Sequence, residues 1–154
     1  MTEDKKLTVE RVVDQPADVI FEIISNPERH HEIDGSGTVV SDDKTDRIQQ
    51  VGQVFTMNMN AEAMGGDYKT DNVVSGYQQN KLLAWKTAPA GKEPAGWQWV
   101  WELEPEGPDS TLVRLTYDWS GVTDKAVLQR VKFPLIPETA LQESLSNLAA
   151  AAGS

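Results

Sequence analysis

Between Gly37 and Ser120, apolar and polar residues exchange places at almost every step in six successive runs: TVVSDD, QVFTMNMNAEA, DYKTDNVVSGY, KLLAWKTA, GWQWVWELEP and STLVRLTYDW. A side-chain period of two is the period of a strand with one buried face. Polar, Gly and Pro clusters separate the runs, as turns between strands require. Met64-Gly65-Gly66-Asp67 supplies a hairpin turn and PAGKEPAG (89 to 96) a looser loop. The middle of the chain is therefore committed to an antiparallel sheet.

The flanks carry different signals. KLTVERVV has the β-branched content of a further strand, the first in the chain, which makes seven. In DQPADVIFEIIS, Pro16 suits the first helical position and Asp18 the first turn. NPERHHEIDG repeats the pattern: Asn26 can cap, Pro27 can open a second short helix, and Gly35 is expected to end it in a left-handed conformation. After Gly121, DKAVLQRVKFPLIP reads as a helical turn or two broken by Pro134 and Pro137. PETALQESLSNLAAAA reads as the longest helix, with Leu141, Leu145 and Leu148 on one face beside Ala140 and Ser144. Those small neighbours either let the helix lie close to another element or express helix propensity alone. The tail AAAAGS is expected to fray.

The 154 residues suffice for one domain spanning 1–154, with no internal repeat or linker to divide it. A hydrophobic fraction of 39% and a charged fraction of 25% are those of a folded globule. No run approaches the roughly 20 apolar residues that span a bilayer, and MTEDKKLTVE lacks the apolar core of a signal peptide. A cytoplasmic protein without membrane insertion is expected. With no cysteine, disulfides, thiolate nucleophiles and cysteine-ligated metals are excluded. A net charge of −10 opposes phosphate backbones, so nucleic acid is not an expected partner.

Alternation also assigns faces. Trp97, Trp99, Trp101 and Leu103 fall together, opposite Gln98, Val100 and Glu102. Val113, Leu115, Tyr117 and Trp119 form a second inner row, Phe55, Met57 and Met59 a third, and Leu83 with Trp85 a fourth. Tyr68, Thr70, Asn72 and Val74 form a fifth, more polar row, and a one-residue bulge would invert any of these locally. Aromatics beside flexible methionines either fill a core or accommodate ligands of differing shape. Tyr68, Thr70, Asn72 and Tyr117 need partners if they face inward, in a ligand, in one another or in the backbone. Arg11 shares a face with Val9 and Val13, which demands an anionic or oxygen partner unless the strand end turns it to water. Trp97 is expected at the outer end of its row and Trp101 with Leu103 deeper; a solvent-facing Trp99 would overturn the assignment.

The order is strand, two short helices, six antiparallel strands, long C-terminal helix. With the stretches DQPADVIFEIISNPERHHEIDG, VGQVFTMN, KLLAW, WVWELEPEGPDSTLVRLTYDW and FPLIPETALQESLSNL, it resembles the START-like or Bet v 1-like (SRPBCC) superfamily, in particular bacterial polyketide cyclase/dehydrase and lipid-transport proteins. The resemblance implies an α+β helix-grip fold: a curved seven-stranded antiparallel sheet wrapped around the C-terminal helix, with a cavity between them for a small hydrophobic molecule. Phe55, Met57, Met59, Tyr68, Thr70 and Asn72 are the expected ligand contacts on the first half of the sheet. Trp85, Trp97, Trp99, Trp101 and Tyr117 are those on the second half, and Leu141 and Leu145 those on the helix.

Catalytic motifs are absent. His30 and His31 are the only histidines; helix neighbours point about 100° apart, so the pair cannot converge on one metal ion. They are expected on an exposed or half-exposed helical surface. No nucleophile elbow surrounds Ser36, Ser41 or Ser120, and no phosphate loop or dinucleotide fingerprint occurs, so neither metal nor cofactor is expected. Pocket-templated aldol cyclisation of a polyketide asks less of side chains, and Tyr68, Asn72, Tyr117 or Arg11 could assist it. No catalytic residue is assigned. A protein-interaction module is a further alternative, and either a monomer or a homodimer is compatible with the sequence.

Overall fold

The computed structural model describes residues 5–134 and 136–153. The MTED start and Ser154, on which the expectations of a leaderless start and a frayed end partly rest, lie outside the described residues, as does Leu135 in FPLIP. The chain opens with β1 (Lys6–Val13), then α1 (Ala17–Ile24), a 3-10 turn (Pro27–Arg29) and α2 (His30–Ile33). Six strands follow: β2 (Val39–Asp42), β3 (Val54–Ala61), β4 (Gly66–Gln78), β5 (Leu82–Pro89), β6 (Gln98–Gly107) and β7 (Ser110–Asp118). The chain closes with α3 (Lys125–Arg130) and α4 (Glu138–Ala151).

One antiparallel sheet holds all the strands in the order β1-β7-β6-β5-β4-β3-β2, so each consecutive pair from β2 to β7 is a hairpin and β1 closes onto β7. The sheet is strongly curved and grips the C-terminal helix. Local chemistry explains the short elements. Asn26 accepts the Glu28 N–H at 3.1 Å at the head of the 3-10 turn, and Asp124 accepts the Ala126 N–H at 2.9 Å at the head of α3. Gly65, at φ 83°, allows the tight β3–β4 connection.

A bulge between Val74 and Gly76 shifts the register of β4 against β5. It turns Tyr77 to the inner face, where its ring meets Phe21 of α1 edge-on at 5.6 Å. The core lies between the sheet and the helices and includes Ile20, Ile24, Leu83, Leu115, Leu141, Leu145 and Leu148. Within the tail, α4 runs to Ala151 and buries Ala149 against the core.

Among the described residues no helix is long and apolar enough to cross a membrane.

Candidate functional site

Register converts the inner-face residues into cross-strand rows. Val74, Trp85, Trp99, Tyr117 and Leu7 stand side by side across β4, β5, β6, β7 and β1. The adjacent row is Tyr77, Leu83, Trp101, Leu115 and Val9. Ring contacts then link the first row into a longer aromatic rail. Trp99 stacks on Tyr117 at 4.5 Å, Tyr117 meets Trp119 at 5.5 Å, and Trp119 stacks on Phe133 at 5.9 Å. Trp97 leans on Phe133 at 5.8 Å. At the other end Trp85 meets Phe55 edge-on at 5.4 Å.

Cover over this rail is uneven. Phe55, Met57, Trp101, Leu103, Tyr117 and Trp119 are buried, whereas Trp85, Trp97 and Trp99 are half-buried. α4 packs chiefly against β1 and α2 and touches α1 and β7 more lightly, while α1 reaches β6. Leu141 and Leu145 are buried on that side. The outer end of the rail is shaped by a close backbone crossing. A Cβ on Gly121 would lie 2.8 Å from the Gly96 carbonyl oxygen, so the β5–β6 loop and the chain after β7 approach as only two glycines allow.

The polar inner row is committed to the sheet. The Asn72 amide donates to the Phe55 carbonyl at 3.2 Å and to Thr70 Oγ1 at 3.4 Å, while Thr87 Oγ1 donates to Asn72 Oδ1 at 2.7 Å. Thr70 and Asn72 are thus buried with their partners in the protein. Tyr68, opposite Met59, borders an open groove of about 370 Å³ shared with Val40, Asn58, Asp67 and Lys69. Burial, then the nearby Asp34 carboxylate, raises the Tyr68 hydroxyl above the usual tyrosine range, so it stays protonated at neutral pH. Arg11 is exposed and donates to Ser146 Oγ at 3.0 Å, fastening β1 to α4.

His30 departs from expectation. Instead of lying on a helical surface it is only 6% exposed, stacked on Trp85 at 5.1 Å and edge-on to Phe55 at 5.4 Å. Its Nε2 donates to the Ile24 carbonyl at 2.7 Å. Desolvation pushes its pKa down to about 4 despite that bond, so the ring is a neutral member of the aromatic rail at pH 7. The signal was present in the spacing: Pro27, His30 and Ile33 recur every three residues and all three are buried. His31 is exposed, as expected.

The loop after α2 holds the grip closed. Asp34 accepts from Ser36 N and Oγ with one oxygen and from Thr38 N and Val39 N with the other, so its carboxylate is consumed by the turn. Gly35 is not left-handed; Gly37 takes that role at φ 78°. Gly35 is small because α4 passes over it: an added Cβ would stand 2.7 Å from Ser144 N and 2.9 Å from Glu143 Cβ. Its N–H donates to Ser144 Oγ at 2.8 Å. Ala140 and Ser144 therefore serve close approach, the first of the two readings their size allowed. Among the described residues no group of three or more His, Asp or Glu side chains is placed to hold a metal ion.

No family model matches the sequence. The uncharacterized protein Rv0088 of Mycobacterium tuberculosis is 35% identical over 104 residues, which cover 68% of this chain and 43% of that protein. The chain thus matches less than half the length of this curated relative. Among solved structures, the Zhui aromatase/cyclase of a Streptomyces species superposes with a TM-score of 0.66 at 12% identity, covering 96% of this chain and 93% of that one. The major latex-like protein 151 of Panax ginseng gives a TM-score of 0.66 at 16% identity, with 96% of each chain covered. The fold is the helix-grip fold that these structures share. In this helix-grip chain the half-buried indoles of β5 and β6 lie on the gripping face, beside the part that α4 covers.

Proposed function

We propose that this chain, acting as one domain, binds a small hydrophobic molecule against the half-buried rail of Trp85, Trp97 and Trp99. One observation carries the reading: three indoles on the concave face of a sheet whose neighbouring inner row is sealed. Covering an aromatic ring is worth about 2–3 kcal/mol, so an uncovered row of them favours a flat apolar partner. Phe55, Tyr117 and neutral His30 back the rail from within the core, and among the described residues no charged side chain is buried, which favours an uncharged ligand face.

Tryptophan emission tests this directly. Titrating fatty acids, flavonoids and polyketide-like aromatics should quench or shift emission, and a ligand held at about 100 times its Kd adds about 2.7 kcal/mol of stability. A broad panel, native extracts included, that moved neither emission nor melting temperature would refute the proposal.

A second reading, cyclisation of a poly-β-ketone on the same surface, is favoured by His30. With Nε2 donating to Ile24, its Nδ1 carries the lone pair of a neutral imidazole beside Trp85 and Phe55. That reading expects product from a poly-β-ketone surrogate, and less of it from a folded His30→Phe variant.

A further inference from the structure

Trp101 presents an unmet demand. It is 4% exposed, yet its indole Nε1–H has no hydrogen-bond partner among the described residues. A buried donor without an acceptor is costly, and almost all such groups in proteins find one. Its cross-strand neighbours Leu83 and Leu115 are hydrocarbon and offer no acceptor side chain. Trp101 also stands two residues along β6 from Trp99 on the same face, one step from the half-buried rail into the sealed row. A molecule lying on Trp85 and Trp99 would have its inner end at the Trp101 position.

We propose that Trp101 Nε1–H is the polar contact of the ligand site, donating to an uncharged carbonyl oxygen at the buried end of a flat aromatic ligand. The inference rests on the ligand reading above and narrows it to a chemical class. The acceptor is uncharged because the surroundings supply no counter-charge. Among the described residues the buried polar ones are Ser25, His30, Thr70, Asn72, Thr111 and Thr116, none of them a cation at neutral pH. A carboxylate brought to this depth would be desolvated against one neutral donor, in a chain of net charge −10. A ketone requires only the one hydrogen bond that Trp101 offers.

Three probes of one shape separate the possibilities: 2-acetylnaphthalene, 2-ethylnaphthalene and 2-naphthoate, titrated into the full chain and followed by tryptophan emission. The ketone is expected to bind about fivefold tighter than the hydrocarbon, the worth of one net hydrogen bond, and tighter than the carboxylate. In Trp101→Phe the ketone should lose that advantage while the hydrocarbon keeps its affinity. In ¹H–¹⁵N spectra the Trp101 indole resonance should move downfield with the ketone and not with the hydrocarbon. If Trp101→Phe does not fold, the resonance is identified by exclusion, using Phe variants of the other four tryptophans, and the shift test stands. Equal affinities for ketone and hydrocarbon, a preference for naphthoate, or a Trp101 signal unmoved by the ketone because a trapped water keeps the bond would each overturn the inference while leaving hydrophobic binding intact. Failure of all three probes to bind would count against the ligand reading itself.

Discussion

Two adjacent rungs of the same sheet have nearly the same chemistry and opposite fates. Leu83, Trp101, Leu115 and Val9 are sealed, while one step along the strands Trp85 and Trp99 are half-buried beside a buried Tyr117. Both rungs are apolar and both face the concave side. What separates them is cover: α1 packs against β6 and its Phe21 meets Tyr77 at the end of the sealed rung, whereas Trp85 and Trp99 are left half-buried. Burial along this face is decided by the position of the helices, and composition does not foretell it.

The sealed rung should therefore carry stability and the open one binding. Leu115→Ala is expected to cost about 3 kcal/mol in urea unfolding, the usual range for a truncated core leucine. His30 gives an effect of similar size through pH. The unfolded imidazole takes its proton near pH 6.5, while the folded one resists it to about 4. Stability should hold above about pH 6.5, fall as pH drops towards 4, and level off below, by about 3 kcal/mol in all. His30→Phe should flatten that slope in denaturant melts taken at successive pH values. A slope unchanged in the variant would mean that other groups set it.

Trp99→Leu should cost only about 1 kcal/mol, largely its stack on Tyr117. The same change should weaken any ligand that quenches tryptophan emission by tenfold or more. If Trp99→Leu unfolded the protein more readily than Leu115→Ala, the division of labour between the rungs would be wrong. The smallest effect belongs to the outer face, where Arg114 pairs with Glu10 at 2.9 Å and stands 3.9 Å from Glu102. These partly exposed pairs are worth under about 1 kcal/mol, so Arg114→Gln should leave both stability and binding near their original values.

Much of the candidate site was legible in the chain because strand alternation is local. Trp97, Trp99 and Trp101 share a face in any strand, and hairpin connections leave few registers open. His30 was misplaced because its three-residue spacing with Pro27 and Ile33 is easily overlooked in so short a helix, and a histidine carries little of the hydrophobic weight that marks a core position. Asn72 was read with its options open. Its partners, Phe55 and Thr87, come from the strands on either side, and only register brings their atoms within reach.

The sequence by itself determined the seven strands, the helices that flank them, and the shared inner face of Phe55, Trp85, Trp99, Trp101 and Tyr117. Those follow from backbone periodicity and from the energetic cost of burying polar groups. Tertiary structure alone decided which indoles are covered, that Gly35 exists to let Ser144 approach, that His30 joins the aromatic rail, and that the Trp101 donor lacks an acceptor among the described residues. These depend on where the helices and the loop after α2 come to rest against a curved sheet. That is set by contacts between residues more than a hundred positions apart, to which no local pattern is sensitive.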